Sequence, residues 1–231
     1  MQRMTMRMAG AVVVAGLLGF YGPAPAITVP GNANPWLAGV ETPGTYGNSD
    51  NVPTNSPVLV PDVLIPGGWV EFTSVTGSVS FTPSPSGNPP DGGGSITSNN
   101  ASDLLGKSTL TAPANSLIGV FLDNTDPSTL TPPAALVFNT VALRDFSDLS
   151  PLLRQTFFIG DGQNSLPAVQ KFHIPDGATR LFLGSMDGSG WFNNSGSFEV
   201  TLAVLPEPAV ATILLAAAPV LFRRRPNPDR A

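Results

Sequence analysis

The chain has no cysteine, a single histidine, two tyrosines and, outside its two ends, only five basic residues. Each scarcity removes a class of function. Without cysteine there is no disulfide framework, no thiol nucleophile and no thiolate metal site. Arg3, Arg7, Arg223, Arg224, Arg225 and Arg230 account for the other basic residues, so the stretch from Ile27 to Val204 sets five against 14 acidic residues and carries a net charge near −9. A stretch this acidic repels phosphate backbones and anionic lipid heads, which excludes nucleic acid as a partner and suits divalent cations and neutral glycans. His173 sits between Phe172 and Ile174 on a predicted strand and reads as a solvated strand residue, and the sequence holds no Gly-x-Ser-x-Gly elbow. The carboxylate pairs Asp145 with Asp148 and Asp123 with Asp126 suit turn and helix caps better than glycoside chemistry. With no base paired to a nucleophile, the chain does not read as an enzyme.

Helical periodicity is also nearly missing between Ile27 and Val204. Short β-branched and aromatic runs recur instead between Gly, Pro, Asn and Asp clusters. They predict strands over Ser56–Leu64, Trp69–Phe81, Ser116–Leu122, Thr156–Ile159, Ala168–Ile174, Thr179–Leu183 and Ser197–Val204, with one short helix over Phe146–Leu153. Alternation is clearest at Val70 and Phe72, at Val75, Gly77, Val79 and Phe81, and at Phe198, Val200 and Leu202, so one face of each strand is apolar. Gly and Pro total 49 of 231 residues, below the level of a disordered chain. The expected fold is therefore all-β, an antiparallel β-sandwich of jelly-roll type. Ser84 to Ser98 reads as a long loop, and Asp123 to Gln155 as an insertion between strands.

The two ends read as addresses. At the N-terminus, Arg3 and Arg7 precede an apolar run from Ala9 to Phe20, and Ala24-Pro25-Ala26 has the small-x-small form cut by an export peptidase, which predicts cleavage after Ala26. At the C-terminus, Pro206-Glu207-Pro208 precedes 14 uncharged residues, Ala209 to Phe222, and then Arg223-Arg224-Arg225. As helix that run spans roughly 21 Å, short of a bilayer core of about 30 Å. With Pro219 inside it and arginines behind it, it reads as a transient inner-membrane anchor. This order resembles the PEP-CTERM sorting tail of bacterial proteins, and the resemblance implies processing at Pro206, Glu207 and Pro208 by a membrane-bound sorting peptidase. The expected organisation is a signal peptide over 1–26, an exported domain over 27–204 and a sorting tail over 205–231, with display on the cell surface or in an extracellular matrix.

One segment, Leu181 to Phe198, carries candidate chemistry. A strand ends, Asp187, Asn193 and Asn194 follow, and a strand begins. Calcium takes six to eight oxygens from carboxylates, amides and backbone carbonyls, and Gly188 and Gly190 allow a carbonyl between Ser189 and Trp191 to turn inward. The same Asp, Asn and Gly also build ordinary hairpins, so composition leaves both readings open.

Further motifs carry a second resemblance. Gly160-Asp161-Gly162, Phe172-His173-Ile174-Pro175, Gly177-Ala178-Thr179 and above all Asn193-Asn194-Ser195-Gly196-Ser197-Phe198 make Thr156–Leu202 similar to the bacterial calcium-dependent galactose-binding lectins, whose domain is a galactose-binding-like jelly roll. The resemblance implies calcium held by Asp187, Asn193, Asn194, a loop carbonyl and the carbonyl of Phe81, with two sugar hydroxyls on the metal. It also makes Pro90-Asp91-Gly92 a second sugar-facing loop. The chain departs from that pattern at Pro89, where a histidine is expected, at Gly92, where a glutamine is expected, and in a 187–193 loop one residue shorter, so galactose itself does not follow. For an apolar sugar face, Trp191 and Trp69 are the stacking candidates, whereas Trp36 is expected to pack an N-terminal strand onto the sandwich. The function expected is calcium-dependent binding of a neutral glycan or exopolysaccharide. The alternative is a structural or adhesion protein of the polysaccharide matrix with calcium as a staple.

Overall fold

The computed structural model describes residues 25–47, 49–84, 86–99 and 104–207. Both terminal apolar runs, both arginine clusters and Pro208 lie outside the described residues. Among the described residues no helix is long and apolar enough to cross a membrane.

The fold is all-β. In chain order the strands are β1 (Ile27–Pro30), β2 (Gly44–Tyr46), β3 (Asp50–Val52), β4 (Val58–Leu59), β5 (Trp69–Ser80), β6 (Ile96–Ser98), β7 (Leu110–Pro113), β8 (Leu117–Leu122), β9 (Leu136–Val137), β10 (Asp148–Leu149), β11 (Thr156–Phe158), β12 (Lys171–His173), β13 (Arg180–Ser185) and β14 (Ser195–Leu205), with one helical turn, α1 (Val141–Arg144). A five-stranded sheet runs β1-β14-β5-β12-β10 and a four-stranded sheet β11-β8-β13-β4.

The antiparallel pair β5 and β14 forms the spine, with register from Ser195↔Ser80 to Leu205↔Trp69. The buried residues of β14, Phe198, Val200 and Leu202, all hold even positions, whereas the inward residues of β5 switch from Val70 and Phe72 to Val75 and Val79. The structure explains the switch. Leu202 pairs with Phe72 and Thr201 with Ser74, so Thr73 is an extra residue, and this bulge turns the odd positions inward. Near the far end of the pair, Gly77 and Gly196 adopt left-handed conformations, and a Cβ on either would run into the carbonyl oxygen of Ser197 or Ser78.

One core lies between the two sheets. Phe72, Phe172, Phe198 and Val200 from the first meet Leu117, Phe121, Phe157 and Leu181 from the second. The run Leu117-Ile-Gly-Val-Phe-Leu122 in β8 lacks alternation because both its faces are buried. Its second face packs with Trp36, Leu110, Phe138, Phe158 and Trp191. Leu110 belongs to a small outer sheet of order β6-β7-β9, and Trp36 to a 3-10 turn after β1, as its expected packing role requires.

Three expectations need correction. The helix predicted over Phe146–Leu153 is absent, and Asp148–Leu149 instead pairs in parallel with Lys171–Phe172. Pro151 disfavours helix at Ser150, and Phe146 spends its ring edge-on against Phe172, 5.8 Å away. Asp123–Gln155 is no mere insertion, since it supplies β9, β10, Phe138 and Phe146 to sheets and cores. Within Ser56–Leu64 only Val58 and Leu59 pair, because Pro57 and Pro61 bracket them and donate no hydrogen bonds.

Candidate cation and ligand site

Strand ends gather at one edge of the two facing sheets. β13 ends at Ser185 opposite Leu117, where β8 starts, and β14 starts at Ser195 opposite Ser80, where β5 ends. β11 ends at Phe158 opposite Ile118. The loops 186–194, 81–93 and 159–164 therefore emerge together. Leu117 donates its N–H to Pro90 O at 2.9 Å, and Asn115 donates its own to Met186 O at 2.7 Å. The two loops expected to face a ligand thus share one end of the molecule.

Within the first loop Asp187 and Asn194 are buried. Asp187, 6% exposed, accepts the Ser189 N–H at 3.2 Å, and the Gly188 N–H and the Asn194 amide also donate to it. Asn194, 9% exposed, donates Nδ2 to Gly31 O at 3.2 Å. Its Oδ1 is buried and accepts no hydrogen bond from the described residues. A buried acceptor without a donor costs about 1 to 3 kcal/mol, and hard cations take amide oxygens as well as carboxylates. Continuing the strand register sets Phe81 opposite Asn194, while Asn193 is exposed at the end of a 3-10 turn over Trp191–Asn193. Among the described residues no group of three or more His, Cys, Asp or Glu could hold a metal ion. A cation at this end would therefore depend on amide and backbone oxygens in addition to the carboxylate.

The sequence reading missed Asp50. It lies in β3, is 1% exposed, accepts the Phe192 N–H at Oδ1, 2.8 Å, and accepts Asn34 Nδ2 at Oδ2, 3.0 Å. The Trp191 N–H also donates to it. Nothing local marks Asp50, which in the chain follows Gly47-Asn48-Ser49 and looks like an ordinary turn residue; its partner Phe192 is 142 positions away.

Both tryptophan expectations fail on geometry. Trp191 is 1% exposed, with its ring 5.4 Å from that of Trp36 and its Nε1 donating to Ser185 O at 2.9 Å, so it offers no face to a sugar. Trp69 stands at the opposite end of β5, edge-on to His173. The exposed ring in the loop is Phe192, 54% exposed.

Asp91 accepts the Asp161 N–H at 3.0 Å and lines a cleft of about 320 Å³ with Gly92, Arg144, Asp145, Asp161 and Gln163. Arg144 is tied to Phe138 O at 2.7 Å. Hydrogen bonds from Ser165 hold the Asp145 carboxyl below its ordinary value, whereas burial lifts that of Asp91.

Burial likewise lifts the carboxyls of Asp187 and Asp50 above the ordinary 3.8, against the pull of their N–H and amide donors, and the negative charge of Asp187 adds to the rise at Asp50. A raised native pKa means the folded state holds the proton more tightly than the unfolded state, so stability falls as pH climbs from 3.8 through the raised values. Without divalent cations, the melting midpoint of the native chain should drop relative to Asp187→Asn as pH increases across that window. Paired thermal melts at stepwise pH measure it, and a constant difference would contradict the assignment.

Compared with known proteins, the chain matches no family model and no curated protein.

Proposed function

We propose that the chain is an exported protein of the cell surface or extracellular matrix whose β-sandwich, of galactose-binding-like jelly-roll type, binds neutral carbohydrate in a calcium-dependent way. The buried Asn194 Oδ1, which has no hydrogen-bond partner among the described residues and belongs to the side chain whose amide N–H reaches Asp187, carries this reading. Asp187, Asn193 and Asn194 would hold the ion with their side-chain oxygens, and Phe81 and the 189–191 backbone with carbonyls. Bound calcium supplies direct coordination of sugar hydroxyls. The chain's own residues supply the rest: Phe192 an exposed ring for the apolar face of a pyranose, and Asp91 an acceptor for hydroxyls at the same end.

Export and sorting peptidases complete the picture, cutting after Ala26 and at Pro206-Glu207-Pro208 once the tail has anchored the chain transiently in the inner membrane. Pro206 and Glu207 are exposed and directly follow β14, which supports access by a peptidase. Glycan-array binding of the full chain in calcium should vanish in chelator and in Asp187→Ala, with the variant still folded by circular dichroism. Failure to bind any glycan in calcium would retire this reading.

A second reading, a matrix or adhesion protein that binds no sugar, draws on the way the loop spends itself inward. Trp191 is core, and Asp187 already accepts N–H groups from its own loop, as any tight turn would.

A further inference from the structure

We propose that Asp50 is a positioning residue for calcium: from the β2–β3 hairpin it grips the backbone of the Asp187 loop and aims the carbonyl oxygens that loop presents to the ion. This rests on the calcium reading above and extends it to a segment outside the resemblance that suggested it.

In a trans peptide the N–H of one residue and the C=O of the residue before it point in opposite directions. Asp50 accepts the N–H of Trp191 and, at 2.8 Å, that of Phe192. The carbonyls of Gly190 and Trp191 are therefore turned away from the hairpin. Each accepts one hydrogen bond within its own turn, Gly190 O from Asn193 N at 3.4 Å and Trp191 O from Asn194 N at 3.0 Å. A carbonyl oxygen has two lone pairs, so each keeps one to offer.

The 3-10 turn over Trp191–Asn193 cannot set this orientation alone. Gly190 precedes it in a left-handed conformation and has no side chain to cap it. Asp50 takes over that role from a distant part of the chain. Its own carboxylate is fixed from behind by Asn34 Nδ2 at 3.0 Å, and Asn34 Oδ1 in turn accepts the Trp36 N–H at 2.9 Å. A relay thus runs from the buried Trp36 turn through Asn34 and Asp50 to the loop. Among the described residues every donor to Asp50 is neutral, which suits orientation rather than charge pairing.

Calcium titration calorimetry on the full chain tests the idea, with melting of the calcium-free protein recorded alongside. Removing a residue that orients metal ligands typically weakens affinity by about 10- to 100-fold. The expected result is a weakening in that range for Asp50→Asn, in a protein that still melts cooperatively without calcium. Native affinity in Asp50→Asn would overturn the inference while leaving the calcium reading intact. No calcium binding by the native chain would overturn both. If Asp50→Asn does not fold, Asn34→Asp decides in its place, because its carboxylate still accepts the Trp36 N–H but no longer donates to Asp50: a weakened constant sustains the proposal and an unchanged one ends it.

Discussion

Saturating calcium should raise the thermal midpoint of this chain by roughly 5 to 11 °C, and Asp187→Ala should erase the shift. Ligand at about 100 times its dissociation constant adds roughly 2.7 kcal/mol of stability, and for a domain of this size each kcal/mol moves the midpoint by about 2 to 4 °C. The structure gives two reasons for the ion to bind the folded chain. Asn194 Oδ1 lacks a donor among the described residues, and the buried carboxylates of Asp187 and Asp50 are held above their ordinary pKa by desolvation. A divalent cation satisfies the first and offsets the second. Melts with calcium and with chelator, on the native chain and on Asp187→Ala, measure the effect. A shift below about 1 °C at millimolar calcium would leave the loop an ordinary turn and move the matrix-protein reading to first place.

Phe172→Ala should be the most damaging single truncation in the core. The ring is fully buried. It meets Phe72 at 5.3 Å, Phe157 at 5.5 Å and Phe146 at 5.8 Å between ring centres, the Phe72 and Phe146 contacts being edge-on. It therefore joins both facing sheets and the 123–155 segment. Truncating a buried phenylalanine costs about 3 to 5 kcal/mol, a large share of the roughly 5 to 15 kcal/mol that holds a domain together. The corresponding loss in midpoint is about 6 to 20 °C. Phe192→Ala is the control: with its ring in solvent it should change stability by no more than about 0.5 kcal/mol. Chemical denaturation of both variants checks the pair, and a loss under about 1.5 kcal/mol for Phe172→Ala would show the cluster able to collapse around the gap.

The sandwich was legible because period-two alternation survives in the long strands. β5 and β14 alternate because a strand with one buried face must repeat every second residue, whereas β8, β11 and β13, buried on both faces, stand out as short apolar runs between turn residues. What escaped was short or paired at long range. β9 and β10 are two residues each and pair in parallel with β7 and β12, and no local pattern announces such pairs. The Phe146–Leu153 helix was misread because its apolar spacing also serves residues that cross from one core to the other.

The site divides along the same line. Asp187 and Asn194 were visible as candidate oxygen ligands between two strands, and Asp91 as part of a loop that the resemblance made sugar-facing. Trp191 looked available because it lies among glycines, yet burial of an indole against Trp36 outweighs its presence in a loop. Asp50 showed no local signal at all.

An all-β chain without cysteine, an acidic balance and strands whose apolar faces must be covered all follow from residue type and spacing alone. Packing of the two sheets settles which loops meet at one end, that Trp191 faces inward while Phe192 faces out, that Asn194 Oδ1 has no partner among the described residues and that Asp50 accepts the Phe192 N–H. Those facts depend on contacts between residues far apart in the chain, and no local spacing encodes a contact that the packing of two sheets creates.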